Sequence, residues 1–322
     1  MTSPLFQKMN DLGQNAIPFF FVVSFDKTQG EVCPLSELPA DIWFDMDGVI
    51  SRREFASELL TNPVLQIVKA ITYTEYEHAF SRVIEEMKAG NTYLLNLAFP
   101  TQIDLSASFE AIYGGISAGF KVKYRNKFLC FSPERFVSIH EDHIRAHPMK
   151  GTRRVQDDPD GSMLIGDSKE SAEHLMVVDL LRNDLSQVSD QVRVQRFRYL
   201  EQVGSGSSRL WQTSSEIGGR MSSGWTSHVG DILDQLLPAG SVSGTPKHRT
   251  LSIIRELEPD RGFYSGVAGV FDGKSLDSTV LIRFIEKKET TFYYHSGGGI
   301  TVQSDPHQEY QELLNKIYLP IF

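Results

Sequence analysis

Residues 119–147, GFKVKYRNKFLCFSPERFVSIHEDHIRAH, carry four short strand signals in succession, at 119–123, 128–131, 135–140 and 143–147. Each is rich in Val, Ile, Phe or Tyr, and no helical period separates them. Such a run lacks the regular βαβ rhythm of a doubly wound sheet and predicts an α+β chain with mainly antiparallel sheets. Outward from it, strands are expected at 17–25, 92–99, 209–217, 265–271, 278–285 and 291–296. Helices are expected at 52–59, 74–88, 107–112, 169–184, 227–235, 246–257 and 306–317, with Pro or Gly near many of their ends. The most apolar stretch, IPFFFVVSF at 17–25, is far too short to cross a bilayer and reads as a buried strand. No internal repeat or low-complexity linker divides the chain.

The 322 residues, 40% hydrophobic and 23% charged, have the balance of a globular protein with one large core or two moderate ones. A net charge of −9 argues against nucleic-acid or anionic-lipid partners, which reward clustered Lys and Arg, and favours a small-molecule substrate. Two cysteines among apolar neighbours, Cys33 and Cys130, make neither a disulfide framework nor a thiolate metal site. The first residues lack a signal-peptide pattern, so the expected location is the cytoplasm.

Glycine-rich runs fail as nucleotide motifs. GSGSS at 204–208 lacks the third glycine of a dinucleotide fingerprint, AGSVSGTPK at 239–247 has Thr-Pro where a phosphate loop needs Lys-Ser/Thr, and SGGGI at 296–300 leads into an apparent strand. Carboxylate spacing says more. In GDSKESAEHLMVVDLLRNDL, 166–185, apolar residues fall at helical spacing, which puts Glu170 and Glu173 on one face near the helix start. In SDPHQEYQELLNKI, 304–317, Asp305 is a plausible N-cap, Pro306 the first helical residue, and Glu309 and Glu312 again stand three apart. Four carboxylates on two helix starts suit one Mg²⁺, a hard ion that takes oxygen ligands. The same residues also suit the helix macrodipole, and Glu170 could close a capping box with Asp167. Both readings stand on spacing alone. Likewise Lys150, in HPMKGTRR at 147–154, reads by itself as a solvated side chain in a turn.

Taken together, these blocks resemble the chorismate-utilising enzymes, most closely the branch of aminodeoxychorismate synthase component I. The likeness runs from about residue 74 to the C-terminus through NTYLLNLAF, FSPERF, HPMKGT, DSKESAEHLMVVDLLRNDLSQV, LPAGSVSGTPKHRTLSIIRELEP, RGFYSGVAGVFD, STVLIRFIE and HSGGGITVQSDPHQEYQELLNKI. It implies two facing, mainly antiparallel β-sheets with helices packed outside. Residues 1–73 would form a short N-terminal part of the sheet core and 74–322 the chorismate-binding catalytic region, in one interwoven unit. It places Mg²⁺ on Glu170, Glu173, Glu309 and Glu312. Arg283 and Tyr264 match positions that grip the enolpyruvyl carboxylate, and the backbone around Gly297, Gly298 and Gly299 is suited to receive a carboxylate. Thr152 and Gln212 fall at further substrate-facing positions of the family.

In that branch a lysine at the position of Lys150 attacks C2 of chorismate and expels the C4 hydroxyl, after which ammonia adds at C4 and expels the lysine. Glu134, in SPERF, matches the general acid that protonates the departing hydroxyl. A lysine must be neutral to attack, and only about 0.04% is neutral at pH 7 at its ordinary pKa, so burial is expected to lower that of Lys150. The implied activity is amination of chorismate to 4-amino-4-deoxychorismate for p-aminobenzoate and folate synthesis, a transferase reaction. Anthranilate synthase component I is the alternative within the family, and a catalytically silent regulatory homologue the alternative outside enzymes. The former carries a small residue where Lys150 stands and commonly a histidine where Gln212 stands. Isochorismate and salicylate synthases use a lysine where the sequence has Leu94, which cannot activate water. Longer members have an N-terminal segment that in some forms a tryptophan pocket; only about 70 residues precede the shared region here. Without a nucleophile-elbow cysteine or a further domain after Phe322, the ammonia source is expected to be a separate glutamine amidotransferase and the lyase another chain.

Overall fold

The computed structural model describes residues 3–51, 64–203 and 209–320. The helix expected at 52–59 and the GSGSS run at 204–208 lie outside the described residues. The helices are α1 (Pro4–Gln14), α2 (Tyr73–Lys88), α3 (Phe109–Gly115), α4 (Ser162–Gly166), α5 (Ser168–Leu185), α6 (Val229–Leu236), α7 (Gly240–Ser243), α8 (Lys247–Leu257) and α9 (Pro306–Asn315). The first nine strands are β1 (Phe19–Val23), β2 (Gly30–Pro34), β3 (Ile42–Met46), β4 (Val49–Ile50), β5 (Leu65–Lys69), β6 (Leu94–Leu105), β7 (Phe120–Tyr124), β8 (Phe128–Ser132) and β9 (Arg135–His140). The rest are β10 (His143–Ala146), β11 (Met149–Arg154), β12 (Asp190–Val203), β13 (Leu210–Arg220), β14 (Gly244–Thr245), β15 (Val267–Phe271), β16 (Leu276–Val280), β17 (Phe284–Lys288) and β18 (Thr291–Ile300).

The strands form two antiparallel sheets. The first runs β11-β13-β10-β9-β16-β15-β1-β2 with β12 also on β13, and the second runs β14-β6-β18-β17-β8-β7-β3-β4 with β5 also on β6. The four strands of 119–147 are therefore β7 to β10, but they divide between the sheets: β7 and β8 lie in the second and β9 and β10 in the first, with Pro133 at the crossing. Strand β1 explains its unbroken apolar run. Phe19, Phe21 and Val23 face the cluster that holds Met9 of α1 and Val229 and Leu233 of α6, while Phe20 and Val22 face the second sheet through Phe44, Phe128 and Phe284. Both faces of the strand are buried, so alternation with polar residues disappears. Phe20 and Phe44 stack across the sheets at 5.1 Å. Helices α2, α8 and α9 cover the outer side of β6 through Tyr76, Phe80, Ile253 and Leu313.

One expected strand is corrected. The apolar run at 278–285 is not continuous: β16 belongs to the first sheet and β17 to the second, and the chain crosses at 281–283 with Arg283 at φ +52°. The glycines of SGGGI do not precede a strand but finish one, β18, which passes through a turn into α9. Helix α1 and strands β2, β3, β11 and β12 were not expected from periodicity. No described helix is long and apolar enough to cross a membrane.

Candidate active site

The two acidic helix starts form as their sequences predict. Asp305 caps α9 by accepting from Gln308 N at 2.9 Å, with Pro306 in the first turn. Asp167 caps α5 by accepting from Glu170 N at 3.1 Å. The reciprocal half of a capping box is replaced, because Asp167 N donates to Leu164 O instead and the Glu170 carboxylate turns towards β11. A Cβ on Gly151 would lie 2.8 Å from Glu170 Oε2, and Gly151 has φ +80°, so both backbone and space require glycine there.

Gly151 also creates the irregularity that presents its neighbour. Between the register pairs Met149–Ser214 and Thr152–Gln212, Lys150 and Gly151 together oppose Thr213, a bulge. The Thr213 hydroxyl donates to Lys150 O. Lys150 Nζ reaches Glu173 Oε2 at 2.9 Å, and Glu173 is 8% exposed. From the second sheet, a Cβ on Gly299 would stand 3.9 Å from Lys150 Nζ and 3.3 Å from Leu94 Cδ1. One on Gly298 would stand 3.3 Å from Glu309 Oε2 and 3.9 Å from Glu312 Oε1. Lys150, the four glutamates and the glycine strand are therefore brought together at the end of β18, where Glu173, Glu312 and Glu170 all act on the Lys150 ammonium.

The glycines also present backbone. Ala98 and Asn96 are the register partners of Gly297 and Gly299, yet Ala98 N donates to Glu258 Oε1 and Asn96 O accepts from Arg261 Nη2. Both are thus non-hydrogen-bonded pairs, in which Gly297 and Gly299 direct N–H and C=O away from β6. Strand β17 ends its pairing at His295, so these groups face beyond the ladder, and Lys316 Nζ takes Gly297 O at 2.7 Å.

Lys316 is a site residue that sequence reasoning missed. It bonds Glu312 Oε1 at 2.7 Å, an i,i+4 pair that was visible in QELLNK. Four carboxylates gathered in one place offer hard oxygen donors that fit a divalent cation such as Mg²⁺.

Electrostatics correct one expectation. Burial does act to lower the pKa of Lys150, but Glu173, Glu312 and Glu170 outweigh it and hold the ammonium above its ordinary value. The cause is the crowd of carboxylates, which sequence reasoning had treated only as metal ligands. Burial wins at Lys316, whose pKa is lowered despite Glu312. Burial pushes Glu170 up against the pull of Lys150, with Glu173 and Asp167 adding to the rise.

Glu134, at the crossing from β8 to β9, has its carboxyl pushed up by burial, offset in part by the Ser241 hydroxyl, Lys150 and Lys316. A carboxyl raised in this way is suited to act as a proton donor. Tyr264 is buried, its hydroxyl pushed up to about 12, and its ring lies 5.1 Å from that of His295. Arg283, at the crossing between sheets, places Nη1 3.4 Å from Lys316 O and its guanidinium 5.0 Å from the Tyr318 ring. Thr152 and Gln212 are cross-strand partners, but the Gln212 amide meets Met149 Sδ at 2.8 Å and Thr152 is exposed. A separate cleft of about 730 Å³, lined by Asp184, Pro238, Lys247, Glu258 and Arg261 among others, is not lined by Glu170, Glu173, Glu309, Glu312 or Lys150.

The profile of the chorismate binding enzyme family matches residues 29–321. An "Uncharacterized PabA-like protein" of Haemophilus influenzae is 42% identical over 321 residues, covering 98% of the chain and 96% of the relative. Aminodeoxychorismate synthase component 1 of Salmonella typhimurium is 32% identical over 264 residues, covering 77% of the chain and 57% of that protein. Among solved structures, the fold matches MenF, the menaquinone-specific isochorismate synthase from Escherichia coli, with a TM-score of 0.73 at 19% identity, over 96% of the chain and 79% of that one.

Proposed function

Because the chain belongs to the chorismate binding enzyme family, we propose that it aminates chorismate at C4 with ammonia, through a covalent intermediate on Lys150, to give 4-amino-4-deoxychorismate. The observation that carries this reading is the meeting of Lys150 Nζ with Glu173 at 2.9 Å in a site shared with Glu134, whose carboxyl burial pushes up. Leu94, beside Gly299, leaves that strand without the lysine that would activate water.

Chorismate brings two carboxylates and a hydroxyl that must leave. The amides of Gly297 and Gly299 receive the ring carboxylate, and Arg283 with Tyr264 holds the enolpyruvyl carboxylate, a task suited to the planar guanidinium fork. Glu170, Glu173, Glu309 and Glu312 hold Mg²⁺. When bound, the ion would neutralise the charge of the ring carboxylate. Lys150 first releases its ammonium proton to solvent; the neutral amine forms a bond to C2, the ring double bonds shift, and the C4–O bond breaks as Glu134 gives its proton, so that water leaves. Ammonia adds at C4 and gives one proton to the Glu134 carboxylate, the double bonds shift back, and the C2–N bond breaks to restore the lysine. The sum is chorismate plus ammonia to aminated product plus water. A separate glutamine amidotransferase supplies the ammonia.

The test is direct. Purified protein with chorismate, Mg²⁺ and an ammonium salt should yield a product of the aminodeoxychorismate mass without pyruvate. Without ammonia, intact-protein mass spectrometry should find an adduct of chorismate minus water that maps to Lys150, absent in Lys150→Ala and Lys150→Arg and discharged by ammonia. An adduct on Lys316 or Lys247, or an arginine variant of normal rate, overturns the assignment.

A further inference from the structure

Glu134 is held from two directions. Its backbone is fixed to the first sheet, because its carbonyl accepts from Thr279 Oγ1 at 2.7 Å and from Val280 N at 3.2 Å, and its N–H donates to Ser132 Oγ at 3.1 Å. Its carboxylate, by contrast, meets α7, a four-residue turn of AGSVSGTPK that the reading above leaves without a role. There the Ser241 hydroxyl donates to Glu134 Oε1.

The turn is itself pinned. A Cβ on Gly240 would stand 2.7 Å from Asp184 Oδ2, and Asp184 is 4% exposed and paired with Lys247 at 3.0 Å. Lys247 Nζ also donates to Leu236 O at 3.0 Å, and Arg261 Nη1 donates to Val242 O at 2.8 Å. Ser243 Oγ closes the turn on Ala239 O at 2.8 Å. With contacts before, within and after it, the turn presents Ser241 from a fixed backbone. The other charged groups that bear on the Glu134 carboxyl are Lys150 of β11 and Lys316 after α9.

We propose that Ser241 is a positioning residue for Glu134, orienting the carboxyl so that one oxygen accepts from the hydroxyl and the other is left to carry the proton delivered to the departing C4 hydroxyl. The inference rests on the reading of Glu134 as the general acid. A hydroxyl that donates to the carboxylate favours the charged form, and its loss favours the protonated one.

The experiment compares Ser241→Ala, Ser241→Thr, Glu134→Gln and the Ser241→Ala/Glu134→Gln double variant in the full chain with chorismate, Mg²⁺ and ammonium, with urea midpoints alongside. Ser241→Ala should lower kcat about tenfold with KM for chorismate unchanged, the size expected for one bond to a catalytic carboxyl. Its alkaline limb, which reports loss of the acid's proton, should move to higher pH. Ser241→Thr should restore the wild-type limb, and the alanine change should add nothing in the Glu134→Gln background. A wild-type rate and unmoved limb in Ser241→Ala, with Glu134→Gln inactive, overturns the role of Ser241 alone. Full activity of Glu134→Gln instead overturns the acid assignment and this inference with it.

Discussion

Two buried acid–base clusters, one on Arg261 and Glu258 and one on Lys150 and the four glutamates, differ in how completely they are closed. In one, Arg261 grips Glu258 through Nε at 2.7 Å and Nη2 at 2.8 Å, while its remaining donors meet Val242 O at 2.8 Å and Asn96 O at 2.6 Å. Glu258 Oε1 also accepts from Ala98 N at 3.0 Å, and the two side chains are 3% and 0% exposed. Each charge has a local answer, and the pair ties β6 to the segment after α8. In the other, Lys150 binds Glu173 and Lys316 binds Glu312, and the carboxylates are crowded closely enough that Glu173, Glu312 and Glu170 together hold the Lys150 ammonium up. Closure marks a structural pair, whereas a crowd of like charges in a buried site marks a place for a ligand of the other sign.

The largest expected effect breaks the closed cluster. Arg261→Met leaves Glu258 buried without its cation and Asn96 O without its donor, and should cost about 3–5 kcal/mol of stability. Urea unfolding followed by circular dichroism measures it; a loss below about 1 kcal/mol would mean that the pair is not the lock described. The open cluster should respond the opposite way. Glu309→Gln should abolish Mg²⁺-dependent turnover while leaving the urea midpoint in EDTA unchanged or raised, since it removes one of several like charges.

A smaller effect tests how Lys150 is aimed. Gly151→Ala demands a left-handed backbone from a residue with a Cβ, at about 1–2 kcal/mol, and drives that Cβ against Glu170 Oε2. Adduct formation on Lys150 should fall more than stability does, because the bulge and the carboxylate both shift. Equal losses would make Gly151 a turn residue only.

Much of this was readable in the sequence where one residue's fate depends on its near neighbours. Asp305, Pro306 and Asp167 signal helix starts locally, and the FFFVV run of β1 signals burial on both faces. Arg283 was placed in a strand because the apolar run around it is continuous, and nothing local shows that the chain leaves one sheet for the other there. Strand β12 escaped notice because DQVRVQRFRYLEQV is an edge strand with mostly polar side chains. Ser241 and Lys316 matter only through partners more than 100 residues away in one case and through the carboxylate crowd in the other. The direction of the Lys150 pKa belongs to the same class, since it is set by glutamates from two distant helices.

The smallest expected effect sharpens the contrast through pH. Glu170 has its pKa raised in the folded protein, first by burial and then by Glu173 and Asp167, against the pull of Lys150. A carboxyl raised on folding binds its proton more tightly in the native state, so its contribution to stability is present at low pH and is lost as pH rises through the window from the unfolded carboxylate value, about 4.3, to the raised native one. Glu170→Gln removes that titration while keeping the side chain's shape. In EDTA the variant should match the wild type below pH 4 and become the more stable of the two as pH rises to neutrality. Saturating Mg²⁺ should reverse the order at neutral pH, because only the wild type keeps all four oxygen donors for the ion to stabilise. Parallel curves across pH in EDTA would mean that Lys150 already neutralises Glu170, and the open cluster would then be as closed as the one built on Arg261.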